Sequence, residues 1–192
     1  TLVRGHLLSY ATNTLAPAGR VAGEVIKAAS YAPMIGTPMA AALAVRIQAA
    51  SLWAGALMSA ICGVAALSAD APDWLWIGLA VHTLLAAAAA LALMRAGRGR
   101  SAAKTASKLQ LSLSALREGE DALPGRLVSA VGFLSLGRAV QVAEMAVLLA
   151  ALSRAPSLLD SLLMEGILMV GTAAGDLIPA QLGATDAAFS FG

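Results

Sequence analysis

A polar segment near the start of the chain carries residue types that can bind an anion. It reads "NTLAPAGRVAGEVIK", and its candidate site residues are Asn13, Pro17, Arg20, Glu24 and Lys27. Arg20, Glu24 and Lys27 are spaced i, i+4 and i+7, which places them on one face of a helix. One interpretation is a solvated helix face stabilised by i,i+4 pairing. The other is an anion site, where a cation beside the N-terminus of a short helix holds a lipid phosphate together with free backbone N–H groups.

A second interrupted segment, "PAQLGATDAAF", lies near the end of the chain. Its candidate residues are Pro179, Gly183 and Asp186. In one interpretation Pro179 ends a helix and Asp186 is the first residue in water. In the other, Pro179 and Gly183 break the backbone into a re-entrant turn and a half-helix, and Asp186 faces a polar site that it shares with Arg20 and Glu24.

Three further charged residues, Arg138, Glu144 and Glu165, lie within long apolar runs. A charge at the centre of a membrane helix costs about 2.5–3.5 kcal/mol on insertion scales, so it persists where it is paired or faces a cavity. Arg138 and Glu144 are six residues apart and do not face each other on one helix. Each therefore needs a partner elsewhere. Glu144 and Glu165 fit either a cavity or lipid-headgroup role or a structural pair between helices.

The composition identifies the elements that must position these residues. The 192-residue chain is 59% hydrophobic and 12% charged, with a mean hydropathy of +0.78. Soluble domains carry about 25% charged residues, so this chain has too little polar surface to cover a globule. We expect an all-α, polytopic transmembrane helical bundle and no nucleic-acid partner. Cys62, the single cysteine, and two histidines offer no recognisable metal spacing or nucleophile–base pair, so we expect no cofactor, no metal and no enzymatic activity.

The apolar runs predict one transmembrane domain over residues 1–192. Its four spans are predicted at 38–68, 74–94, 127–152 and 158–178. The segments 13–32 and 179–192 are the candidate re-entrant segments, both interrupted by Pro or Gly. His82, alone on an Ala- and Leu-rich span, favours a packing or hydrogen-bonding role over a ligand role.

The charges between the spans predict an orientation. Segment 95–126 holds seven basic residues, whereas the linker 69–73 holds only acids. Basic loops stay on the cytoplasmic side, so we expect 95–126 inside and 69–73 outside. Counting spans from there puts both candidate re-entrant segments on the cytoplasmic side, where they can meet.

Together these motifs resemble the flippase-like integral membrane proteins related to the transmembrane region of lysylphosphatidylglycerol synthases. "NTLAPAGRVAGEVIK" is similar to their Asn…Pro-x-Gly-Arg-x-x-Gly-Glu signature. The C-terminal half is similar to the pattern of members associated with hopanoid biosynthesis, with Gly137-Arg138, Glu144, Glu165, Pro179, Leu182-Gly183 and Asp186 on the matching positions. Ala180 replaces a Gly of that pattern, and Asp186 replaces its closing Glu.

The resemblance implies a membrane protein that binds and translocates an anionic or isoprenoid-type lipid, in the bacterial inner (cytoplasmic) membrane. It also implies that residues 1–192 are a fragment of a longer protein. The alternative function is a non-catalytic membrane partner or scaffold of a lipid or glycolipid biosynthesis complex, with the basic segment 95–126 as its docking surface. A membrane enzyme acting on a lipid is the third and weakest alternative.

Overall fold

The computed structural model describes residues 2–15, 19–98, 127–152, 155–175 and 184–191. Within these ranges the chain forms helices and no strand, which confirms the all-α prediction. The helices are α1 (Leu2–Leu15), α2 (Gly19–Ile35), α3 (Thr37–Ser68), α4 (Asp73–Arg98), α5 (Leu127–Ala151), α6 (Leu158–Gly175) and α7 (Ala184–Phe191).

Four of these helices, α3 to α6, are long and apolar enough to cross a membrane. This confirms the prediction of a polytopic membrane protein. Each helix begins within one residue of the start predicted for its span. The described part of the last span ends at Gly175, and the predicted basic loop 95–126 lies outside the described residues after Arg98.

The first two helices pack against each other, and the second leads into α3. The sequence predicts a helix from about Arg20, and α2 begins at Gly19 and packs against both α1 and α3. Pro33 lies in the last turn of α2, and Gly36 then adopts φ +83° before Pro38 enters the first turn of α3. A positive φ at this junction favours glycine, which has no Cβ to clash, and proline suits a first helical turn. The re-entrant character of 13–32 stays a prediction, since residues 16–18 lie outside the described residues.

Helix α3 is the centre of the bundle and packs against α2, α4, α5 and α6. Its buried face consists mainly of small residues, among them Ala50, Ala54, Ser59, Cys62 and Ala66. Small side chains let helix backbones approach closely, and the resulting van der Waals packing contributes to helix association in lipid. The facing side of α4 buries Leu75, Leu79, Ala86 and Ala90, whose spacing keeps them on one helix face.

Helix α6 packs tightly against this pair of helices at two glycines. A Cβ added to Gly166 would lie 3.2 Å from Cδ1 of Leu79 and 3.3 Å from Cβ of Cys62. A Cβ on Gly78 of α4 would lie 3.2 Å from the Val170 methyl groups. The absence of side chains at these two positions therefore sets the distance between α6 and the α3–α4 pair.

The start of α6 is defined by Ser157 and Asp160. The backbone N–H of Asp160 donates to Oγ of Ser157 at 3.1 Å, and the backbone N–H of Ser157 donates to Oδ2 of Asp160 at 2.8 Å. This reciprocal pairing is a capping box, which satisfies backbone N–H groups that a helix leaves free at its first turn. Asp160 therefore has a structural role at the helix end. Helix α7 packs against α6.

Candidate functional site

Arg138 and Glu165 lie next to each other between two adjacent membrane helices. Nη1 of Arg138, on α5, is 4.0 Å from Oε1 of Glu165, on α6. Both residues fall in the middle third of their helices, with Glu165 roughly 10 Å from the start of α6 at 1.5 Å per residue. The sequence predicts that Arg138 needs a partner on another helix, and Glu165 is that partner.

Glu165 is the most deeply buried charged group in the described part of the chain. The residue is 1% exposed, and neither carboxylate oxygen has a hydrogen-bond partner among the described residues. The cation beside this carboxylate is the Arg138 guanidinium. A buried carboxylate without a hydrogen bond from the protein is costly, so Glu165 depends on Arg138 for its compensation.

Arg138 is more accessible than its partner. Its side chain is 31% exposed, and its Nη1 also donates a 3.0 Å hydrogen bond to Oε1 of Gln141. Both contacts use Nη1, and a guanidinium carries five N–H donors in a planar fork. The other N–H groups of a guanidinium can bind two oxygens of a phosphate or carboxylate at once. The arrangement is a cation in the middle of a membrane helix that is about one-third exposed and contacts Gln141 and Glu165.

Glu144 lies on a different side of α5. It is exposed, whereas Val142, two residues earlier, is the buried residue of that helix. Within the described residues it has no hydrogen bond or ion pair to another helix. The structure therefore brings Arg138 and Glu165 together and leaves Glu144 facing outward from the bundle.

In the N-terminal group, Glu24 and Lys27 form an ion pair. Nζ of Lys27 is 2.6 Å from Oε1 of Glu24, and the two side chains are about one-fifth exposed. Glu24 also has a buried Oε2 with no hydrogen-bond partner among the described residues. Arg20 lies in the first turn of α2 and Asn13 near the end of α1, but their side chains and all of Pro17 lie outside the described residues.

In the C-terminal group, Pro179 and Gly183 lie outside the described residues. The backbone of Asp186 belongs to α7, and its side chain is not among the described side chains. Helix α2 packs against α1 and α3, whereas α7 packs against α6, so the described helices of the two interrupted segments have different neighbours. The predicted meeting of these segments at one polar site stays a prediction.

The structure adds polar contacts that the candidate site did not include. Gln141 holds Arg138 from the same helix, a contact that its i,i+3 spacing favours. Oγ of Ser59 lies 2.6 Å from Nδ1 of His82, which joins α3 to α4. This bond agrees with the packing and hydrogen-bonding role expected for His82. No sequence pattern indicates that Ser59 is its partner, because the two residues are 23 positions apart.

The described residues contain no group of three His, Cys, Asp or Glu side chains that could hold a metal ion. Comparison of the chain with protein-family models, with curated proteins and with solved structures found no match.

Proposed function

We propose that this chain is a flippase-like membrane domain that binds a lipid with an anionic headgroup and moves it across the bilayer. The headgroup is a phosphate, either of an ordinary anionic lipid or of an isoprenoid-type lipid. The membrane is the bacterial inner membrane that the resemblance implies. No catalytic step is part of the proposal.

The observation that carries the proposal is the Arg138–Glu165 pair at membrane depth. A charged residue inside a membrane helix is expensive, and such residues mark substrate pathways. Arg138 is partly exposed, its one hydrogen bond within the described residues runs from Nη1 to Gln141, and 4.0 Å separates it from Glu165, beyond hydrogen-bond distance. A phosphate oxygen can therefore compete with the Glu165 carboxylate for the guanidinium.

In the proposed cycle the two residues act in turn. Arg138 binds the headgroup when a lipid enters between α5 and α6, and Glu165 takes over the guanidinium when the headgroup leaves. The empty site then never holds an uncompensated arginine, which keeps the barrier between loaded and empty states low. Arg20 and Lys27 are proposed to receive the anionic headgroup at the cytoplasmic end, and Glu24 and Asp186 to line the polar path or pair with these cations.

A lipid-movement assay tests this function. The chain is reconstituted into vesicles with fluorescently labelled phosphatidylglycerol, isoprenyl phosphate or phosphatidylcholine, and a membrane-impermeant quencher reports the label that reaches the outer leaflet. We expect movement of the anionic lipids and slower movement of phosphatidylcholine. Arg138→Gln should reduce the anionic rate about tenfold or more, because hydrogen bonds to a charged group contribute about 1.5–3 kcal/mol.

Arg95→Gln is the matched control. Arg95 is an exposed arginine at the end of α4, so its replacement removes the same charge away from the proposed site and should leave the rate unchanged. Anionic lipid movement that survives Arg138→Gln, Glu165→Ala and Arg20→Ala would contradict the site. No lipid movement by the unaltered chain would contradict transport and favour the partner or scaffold alternative.

A further inference from the structure

Helix α5 has an outward stripe of residues with the spacing of a helix–helix seam. Phe133, Gly137, Val140, Glu144 and Leu148 follow one another at intervals of three or four residues, and all five are exposed. This is the spacing of side chains that face a neighbouring helix in a left-handed pair. A Cβ on Gly137 would meet nothing within 4 Å, so the stripe contains an open notch about two turns from Glu144.

The charge of Glu144 cannot reach water easily from this position. Glu144 lies five residues from the midpoint of the 25-residue helix α5, roughly 8 Å along its axis. Its nearer end is the C-terminal one, but a helical Cα–Cβ bond tilts toward the N-terminus, so the side chain points back toward the centre of the bilayer. Glutamate also lacks the long stem with which lysine and arginine reach the interface.

An ionisable side chain on the outer face of a membrane helix requires a partner. The described residues provide none for Glu144: Arg138 lies on another side of α5 and is engaged with Glu165 and Gln141. A second copy is a poor partner, because a symmetric pair of α5 helices would place one Glu144 beside the other and the like charges would repel. The anionic headgroup proposed to bind Arg138 is not a partner for Glu144 either, because two negative charges repel each other.

We infer that the α5 stripe is a docking surface for a membrane-spanning helix of another protein that carries a lysine or arginine at the depth of Glu144. The cation pairs with Glu144, and a large side chain of the partner helix fills the notch at Gly137. The inference stands on the exposure and depth of Glu144, and it does not depend on lipid transport.

A peptide-association experiment tests this surface. The probes are two labelled transmembrane peptides of leucine and alanine, one with a single lysine at the depth of Glu144 and one with leucine there. Energy transfer between each peptide and the labelled chain is measured in lipid vesicles. We expect the lysine peptide to associate about tenfold more tightly than the leucine peptide. Glu144→Gln should remove this preference, whereas Asp70→Asn, which neutralises an exposed acid in the α3–α4 linker, should retain it.

The exposed position of Glu144 makes Glu144→Gln compatible with folding, and circular dichroism and thermal unfolding of each variant verify this. A Gly137→Phe variant gives a second readout that does not touch the charge. The phenyl ring fills the notch and should weaken association with the lysine peptide, because the peptide can then no longer pack closely against α5. Equal binding of the two peptides by the unaltered chain would overturn the inference. So would a lysine preference that persists in Glu144→Gln, or self-association of the chain that becomes stronger in that variant.

Discussion

Helices α3 and α5 are both apolar and long enough to span a bilayer, but they occupy opposite environments. Half of the most apolar part of α3 is buried within the chain, compared with 6% for α5. Helix α3 buries alanine, serine and cysteine against its neighbours, whereas α5 directs Val128, Phe133 and Val147 outward. The first is a scaffold helix, and the second forms the outer boundary of the described bundle.

The two helices also treat their polar residues differently. On α3, Ser59 is fully buried and its hydroxyl is bonded to His82. On α5, Arg138 is only partly covered and Glu144 faces outward. The Ser59 hydroxyl of α3 thus binds a side chain inside the bundle. The charged side chains of α5 are at least partly exposed, where a lipid or a partner protein can contact them. This difference is the reason that the proposed functional surface is on α5 and the adjoining face of α6.

Among substitutions that test this difference between α3 and α5, Arg138→Leu is expected to have the largest effect on stability. The substitution leaves Glu165 buried without its compensating cation, which should lower the free energy of unfolding by about 3 kcal/mol. The double variant Arg138→Leu/Glu165→Leu removes both charges and should recover most of this loss. Unfolding in detergent, followed by circular dichroism, gives both values. A single variant as stable as the unaltered chain would mean that the pair does not hold α5 to α6.

A smaller effect is expected from a matched pair of glycine substitutions. Gly166→Val adds atoms at a position where a Cβ alone would lie within 3.3 Å of Leu79 and Cys62, and overpacking of this kind costs about 1–3 kcal/mol. Gly137→Val adds the same atoms where nothing lies within 4 Å, and it should leave stability within about 0.5 kcal/mol. Thermal unfolding of the two variants side by side measures the difference. Equal destabilisation would contradict the contrast between scaffold and boundary helices.

The smallest effect is expected from Ser59→Ala. The bond between Ser59 and His82 joins α3 to α4, and hydrogen bonds between membrane helices contribute about 0.6 kcal/mol on average. A double-mutant cycle with His82→Leu isolates the interaction from the change in side-chain size. A coupling energy near zero would show that the bond between Ser59 and His82 does not help to hold these two helices together.

Much of the fold could be predicted from the sequence because the hydropathy of each segment indicates whether it is apolar enough to lie in the bilayer. The starts of the four membrane helices and the helix after Pro17 follow from composition and from Pro and Gly positions. The site was less predictable. Arg138, Glu144 and Glu165 stand out as charges in apolar runs, but their partners depend on how α5 rotates about its own axis, which a weakly periodic apolar helix does not encode. Arg20, Pro179 and Asp186 remain sequence-based candidates.

The sequence by itself determined that this chain is all-helical, that four helices are suited to a membrane, and that a few charges would have to lie at membrane depth. These properties depend on the cost of exposing apolar groups to water and polar groups to lipid, which acts on each segment separately. Only the tertiary structure decided which charge received a partner. Arg138 lies beside Glu165, whereas Glu144 is exposed on the outer side of α5. Packing at Gly166 and at the small residues of α3 sets the distances between the helices, and it therefore sets which face of each helix contacts its neighbours.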